Sequence, residues 1–273
     1  MEVASFQLRL TGDLADHHEF EGYDGYMALA GAAWTLSLAT NYVETGGIRH
    51  RGNFPGRRSV RAMPLARGSV VADFAVILHS QPAAVFGLSA LSGGASALLY
   101  GVVNRVLTRN LGISRDPLNA DTAALLQSKD GDIEALVAIS EPSVRQAHDV
   151  IGNGANEIEW IGGHSAMASL NQDTKAYIKA SIPDLEIIER DVSVSGFYGN
   201  SGHGSVFDFN LGRNVPISMP RDILRQYGTF FSWGLHQYLN HTGLKVRIKF
   251  TRILAMDGRP KRYVIVSARE AKG

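Results

Sequence analysis

The chain has 273 residues, 45% of them hydrophobic and 19% charged, which supports one large or two ordinary folded domains and excludes a disordered chain. It has no cysteine, so disulfide frameworks and thiolate metal sites are excluded. The net charge of +1 conceals a segregation: residues 1–113 carry nine basic and eight acidic side chains, 114–212 six and fifteen, and 213–273 twelve and three. Either the acidic and basic parts face each other, within the chain or between subunits, or the basic end meets an external anion.

The first twenty residues lack the basic start and apolar run of a secretion signal, and a cytoplasmic location is expected. Ser5 to Leu10 alternates as a strand that Thr11-Gly12-Asp13 ends. Asp13, Asp16, His17, His18, Glu19, Glu21 and Asp24 then crowd together. Their spacing matches no metal-ligand pattern, so the cluster reads as an acidic turn feeding a helix N-terminus, and no metal or cofactor is expected. From Glu21 to Glu44 the apolar positions recur at helical spacing, and Gly46-Gly47 stops the helix.

Six arginines and no acid follow between Ile48 and Ser69, with Arg57 and Arg58 placed on a turn by Pro55 and Gly56. Arginine suits bidentate recognition of phosphate or carboxylate, which makes Arg57 and Arg58 candidate anion ligands; a solvated surface is the competing reading. Ser59 to Leu65 and Ser69 to Leu78 read as a β-hairpin.

The stretch from Phe74 to Asn104 contains no charged residue. A helix from Pro82 to Leu111 is about 45 Å long at 1.5 Å per residue, enough to cross a bilayer. Gly93-Gly94 offers a break that turns it into a helical hairpin instead. Ser89, Gly93, Ala97 and Gly101 fall four apart and make one stripe of small residues, the device by which another backbone approaches closely. An internal helix, a second copy or a membrane neighbour are the candidate partners of that stripe.

Residues 114–131, broken by Pro117 and Gly131, read as a linker that admits a short helix at Thr122 to Gln127, and Ile133 to Ile139 and Ser143 to Ile151 as two short helices around Glu141-Pro142. Asn156 to Ile161 reads as a strand and Gly162-Gly163-His164-Ser165 as a turn. That turn matches no nucleophile-elbow pattern. The last third alternates in strands separated by Gly-rich turns, with a helix from Pro220 to about His241. The Gly199-Asn200-Ser201-Gly202-His203-Gly204 run joins two strands and precedes no helix, so it reads as a mobile hairpin tip and not as a phosphate loop. The resulting order β-β-β-α-β-β resembles that of a small barrel of the OB kind. Lys245, Arg247 and Lys249 alternate with apolar residues and so share one strand face, near Phe207, Phe209 and Tyr263.

The expected fold is therefore α+β in three parts. Residues 1–113 form a strand-helix-hairpin unit with the long Gly/Ala-rich helix, 114–155 an acidic helical middle, and 156–273 a small OB-like β-barrel with one helix. Two functions compete. One is a self-assembling protein, a homo-oligomer or membrane-associated chain, engaging its neighbour or the bilayer through helix 82–111. The other is a nucleic-acid- or nucleotide-binding module using the basic barrel face and the Arg-rich loop. No Ser-His-Asp arrangement, Walker loop or dinucleotide fingerprint is complete, so an enzyme is the weakest reading and no catalytic residue is assigned.

Overall fold

The computed structural model describes residues 1–48, 55–63, 70–79, 82–87, 93–114 and 116–271. The chain is a mixed α+β protein of two compact units, Met1–Lys179 and Ala180–Gly273, and among the described residues it has two sheets and eight helices, one of them a short 3-10 helix at Asp13–His17.

The first unit is built on strand β1 (Glu2–Thr11), flanked in an antiparallel sheet of order β2-β3-β1-β4-β5. The other strands are β2 (Val60–Ala62), β3 (Val70–Leu78), β4 (Glu157–Gly162) and β5 (Ser165–Leu170). Alternation puts Phe6, Leu8, Val76, Leu78 and Trp160 on one face, fully buried against helices, while Ser5, Gln7 and Arg9 occupy the other. The strand at Asn156–Ile161, expected in the C-terminal barrel, instead pairs with β1 through Phe6↔Gly162 to Thr11↔Glu157. The units consequently divide between Lys179 and Ala180, where the sequence reading had boundaries at 113 and 155.

Helix α1 (Gly22–Thr45) ends on Gly46, whose φ of 67° lets its N–H return to the Tyr42 carbonyl. A short helix α2 (Pro55–Ser59) packs against α1, and a second, α3 (Pro82–Phe86), precedes α4 (Gly94–Asn110). The apolar stretch is thus not one 30-residue helix. Gly94 sits at φ 75°, a conformation that suits glycine, and α4 starts there. Its free N–H groups are met by the Glu2 carboxylate, which accepts from Ala95 N–H at 2.9 Å and Ser96 N–H at 3.0 Å, and also from the Ser96 hydroxyl. Burial works to raise the Glu2 pKa, but these bonds outweigh it and hold the carboxyl below its ordinary value. Among the described residues, no helix is long and apolar enough to cross a membrane.

The presumed linker is helical. Helix α5 (Ala120–Gln146) runs through it, bent at Lys129 (φ −136°, ψ 32°) and continuing past Pro142. Pro142 is exposed on the outer side of the helix, which runs on through it. Asn119 caps α5 by accepting from Thr122 N–H at 2.8 Å. After α5, helix α6 (Gln172–Lys179) closes the unit. Here His148 is fully buried, Nδ1 at 2.8 Å from the Val144 carbonyl and Nε2 at 3.0 Å from Thr174 Oγ1. Burial, together with nearby Lys175 and Lys179, lowers its pKa from 6.5 to about 4. A histidine held neutral in the fold stabilises it least in acid, since below 6.5 the unfolded chain binds a proton that the folded one refuses. The first unit is expected to lose up to about 3 kcal/mol between pH 6.5 and 4 from this group. Urea titrations across that range check this, and His148→Gln should flatten the pH dependence.

The second unit is a closed barrel of order β10-β8-β7-β6-β9. Its strands are β6 (Ile182–Tyr198), β7 (His203–Asp208), β8 (Arg213–Ser218), β9 (Val246–Leu254) and β10 (Pro260–Glu270), with helix α7 (Arg221–Leu239) between β8 and β9. Strand β10 runs parallel to β8, and every other pairing is antiparallel. Val192, Val194, Val206, Val215, Ile248 and Phe250 fill the interior, and α7 adds Phe231. Gly234 brings α7 onto the barrel wall, where a Cβ would lie 2.5 Å from a Val246 methyl. Tyr263, grouped with the basic face in the sequence reading, is wholly buried and stacked on Phe250 at 3.9 Å.

Candidate functional site

The small-residue stripe lies against its own chain. Gly93 N–H donates to Asp121 Oδ2 at 3.2 Å, the Ala97 carbonyl accepts from Asn119 Nδ2 at 2.9 Å, and a Cβ on Gly101 would fall 1.7 Å from Thr122 Oγ1. All three partners belong to the first turn of α5 or its cap. Ser89, the fourth member, lies outside the described residues.

Gly56 seats α2 so closely on α1 that a Cβ would lie 2.3 Å from the Ser37 carbonyl oxygen. This placement sets the Arg57 guanidinium 5.3 Å from the Trp34 ring centre and leaves Arg58 exposed. Arg49, Arg51 and Arg67 lie outside the described residues. His164 stands at one edge of a groove of about 660 Å³ on the open face of the first sheet, with Ser5, Gln7, Arg9, Asp73 and Glu159. Those polar groups engage one another: Gln7 donates to Asp73 at 2.9 Å and Arg9 to Glu159 at 3.1 Å. His17 and His18 are exposed, and among the described residues no three His, Cys, Asp or Glu side chains gather as a metal site.

Arg247 and Lys249 share one side of β9, as strand alternation requires, and Lys245 lies just before the strand, but β6 lies alongside with the opposite charge. Arg247 donates to both Asp191 oxygens, at 2.6 and 2.7 Å. This bond holds the Asp191 carboxyl below its ordinary pKa and raises that of the guanidinium. Arg252 bonds Asp184 and Glu186, and Arg269 bonds Glu189 at 3.0 Å. Lys249 is exposed opposite Glu189. The acidic end of the middle segment and the basic C-terminus therefore meet inside one barrel.

Lys245 has a different neighbour. Its ammonium nitrogen lies 4.1 Å from the centre of the Phe209 ring, and that ring meets Phe207 edge-on at 5.1 Å. Phe207 shares the outer face of β7 with Ser205 and His203, because Val206 and Asp208, which alternate with them, point inward. Across the ladder stand Ser193 beside Phe207 and Tyr198 beside His203. A bulge at Ser195 sits midway, its hydroxyl 2.9 Å from that of Ser205. The result is a strip with aromatic rings and a cation at one end, small hydroxyls in the middle, and exposed Tyr198 with His203 at the other. From Phe209 to His203 it measures about 20 Å at 3.4 Å per residue. The hairpin tip beyond Tyr198 is pinned, since Met219 N–H donates to the Gly202 carbonyl at 2.9 Å.

These features define a two-unit α+β chain in which a helix-covered antiparallel sheet precedes a closed five-stranded barrel. Residues 6–179 match the model of a family described as a domain of unknown function (DUF7946), and the chain belongs to that family. The match ends at the residue where the first compact unit ends. Neither a curated protein nor a solved structure matches the chain.

Proposed function

We propose that the C-terminal barrel binds single-stranded nucleic acid along the outer strip of β6 and β7. The observation that carries this reading is the exposed Phe209 ring, held edge-on by Phe207 and faced by the Lys245 ammonium. Bases stack on such rings whatever their sequence, and a cation beside the ring meets the adjoining phosphate. The strand order, with β8 parallel to β10, supports reading the barrel as OB-like, and OB barrels bind oligonucleotides on a face that includes their second strand, which here is β7. Residues 180–273 hold thirteen basic and eight acidic side chains, so a positive surplus remains after the ion-pair ladder is formed. A strip about 20 Å long fits the short end of the ~4–16 nucleotides that an OB barrel covers.

Fluorescence anisotropy with a labelled oligo-dT tests the proposal. Phe207→Ala and Phe209→Ala are each expected to weaken binding by about 1–3 kcal/mol. Lys245→Gln should reduce the slope of log K against log salt by about 0.7, one phosphate contact on a single strand. Binding by Phe209→Ala equal to that of the parent, or no binding by the parent at low salt, would overturn it.

A further inference from the structure

The middle of the barrel strip offers acceptors and no donor. The bulge of β6 sets Ser195 and Gly196 together opposite the single residue Ser205 of β7. Ser195 Oγ lies 3.1 Å from the Ser205 carbonyl oxygen and 2.9 Å from the Ser205 hydroxyl. A carbonyl only accepts, so the Ser195 proton goes to it, and the proton in the second contact comes from Ser205. Both hydroxyl protons are spent inside the pair. What the two oxygens keep for a ligand is lone pairs.

Gly196 leaves those lone pairs open. A Cβ there would lie 3.2 Å from Ser205 Oγ, so any larger residue would lean over the hydroxyl. Glycine inside a strand marks a place where a ligand or another backbone comes close. Both serines are half-buried, and a ligand lying along the strip takes the remaining water from them. If it brings no N–H or O–H in exchange, the acceptors stay unsatisfied and affinity is lost.

Place along the strip selects the donor. Ser205 stands two residues from Phe207, about 7 Å along the strand. Phe207 in turn holds the Phe209 ring, which faces the Lys245 ammonium. With a base on the rings and its phosphate at Lys245, the part of a nucleotide left for the serines is the sugar. The 2′-hydroxyl of ribose is a donor as well as an acceptor, and deoxyribose has no such group.

We propose that the strip takes single-stranded RNA in preference to DNA, with the Ser195–Ser205 pair accepting the 2′-hydroxyl proton, a proposal that rests on the nucleic-acid reading of the barrel above.

Fluorescence anisotropy of the full chain with labelled oligo-rU, oligo-dU and oligo-2′-fluoro-U of one length tests this. The base is the same in all three, so only the sugar differs. Oligo-rU should bind about two- to tenfold tighter than oligo-dU, the gain from one net hydrogen bond. The 2′-fluoro sugar keeps the ribose pucker but has no proton to give, and it should bind as oligo-dU does. Ser205→Ala should bring oligo-rU down to the oligo-dU level and leave oligo-dU unchanged. Ser205→Thr, which keeps the hydroxyl, should retain the preference. Equal binding of oligo-rU and oligo-dU by the parent, 2′-fluoro binding as tight as oligo-rU, or a preference that survives Ser205→Ala would overturn the proposal. In those cases oligo-dU binding that still falls in Phe209→Ala leaves the nucleic-acid strip standing without it. Binding of none of the three by the parent would overturn both.

Discussion

Gly31→Leu and Gly101→Leu are expected to unfold the first unit, each lowering its stability by more than about 3 kcal/mol. At Gly31 the obstacle is backbone: a Cβ would lie 2.6 Å from the Ser143 carbonyl oxygen and 2.7 Å from the Ala147 nitrogen. That is where α1 crosses α5, and the Thr35 and Ser143 hydroxyls meet at 2.8 Å in the same crossing. No rotamer change relieves such a clash, so the helices must separate and the core they cover must open. At Gly101 the obstacle is Thr122, whose hydroxyl is already bonded to Asn119 at 2.8 Å as part of the α5 cap. Leu is the better helix former at both positions, so the loss measures packing and not propensity. Gly93→Leu should be milder, because its Cβ meets only the Ala97 methyl at 2.6 Å and the position is exposed. Gly131→Ala is the control. Nothing lies within 4 Å of a Cβ there, and the change should stabilise by about 0.5–1 kcal/mol. Calorimetry and hydrogen exchange of α1, α4 and α5 distinguish these outcomes, with exchange of the barrel strands unchanged.

The same glycines show what the sequence could and could not reveal. A mixed α+β chain ending in a closed barrel was legible, because the C-terminal strands alternate cleanly and stop at Gly-rich turns such as Gly199–Gly202 and Asp257-Gly258. The stripe of Gly93, Ala97 and Gly101 announced a close neighbour, but its identity depended on α5, which local signals hid. Gly131 and Pro142 read as breakers, yet Gly131 lies inside one helix that absorbs a kink at Lys129, and Pro142 faces water. Gly31 and Gly56 occupy equally tight contacts and carried no local pattern at all, since a lone glycine in a helix announces nothing about the backbone opposite.

On the barrel, alternation puts Lys245, Arg247 and Lys249 on one face. What neutralises Arg247 comes from β6, 56 residues earlier, through a strand pairing that no window of the sequence contains. Phe207 and Phe209 were visible as aromatics near a basic strand, while the ring-to-ammonium contact with Lys245 needed the register. Tyr263 failed as a surface aromatic for the same reason. Its place in β10 alternates inward, opposite Arg252 of β9 and Ile217 of β8.

That inward turn of Tyr263 sets up the second large effect, at Asp208. The carboxylate has no exposure and accepts three bonds: from Arg190 at 2.5 Å, from the Tyr263 hydroxyl at 2.6 Å and from Asn210 N–H at 2.9 Å. Burial alone would raise its pKa, but the bonds from Tyr263, Arg190 and Asn210 prevail and hold it below the ordinary 3.8. Burial and the Asp208 charge together push the Tyr263 hydroxyl up, so it stays a donor at every pH of interest. Asp208→Ala removes the acceptor and strands Tyr263 in the barrel interior beside Arg190. Breaking a buried pair in this way costs about 3–5 kcal/mol, and the lower end applies because Arg190 keeps some access to water. Asp208→Asn keeps the shape and an acceptor oxygen and should lose less, about 1–3 kcal/mol. Tyr263→Phe removes one bond of three and should lose least. The pH dependence follows from the sign of the shift. A carboxyl with a lowered folded pKa stabilises the barrel fully above about 3.8, and that contribution disappears as pH falls through the folded value. Hydrogen exchange of β6, β7 and β10, read from neutral pH into acid, should therefore show the parent losing protection in the acid range and converging on Asp208→Asn. Equal protection of the two proteins at neutral pH would show that the ionised carboxylate contributes nothing to holding the barrel closed.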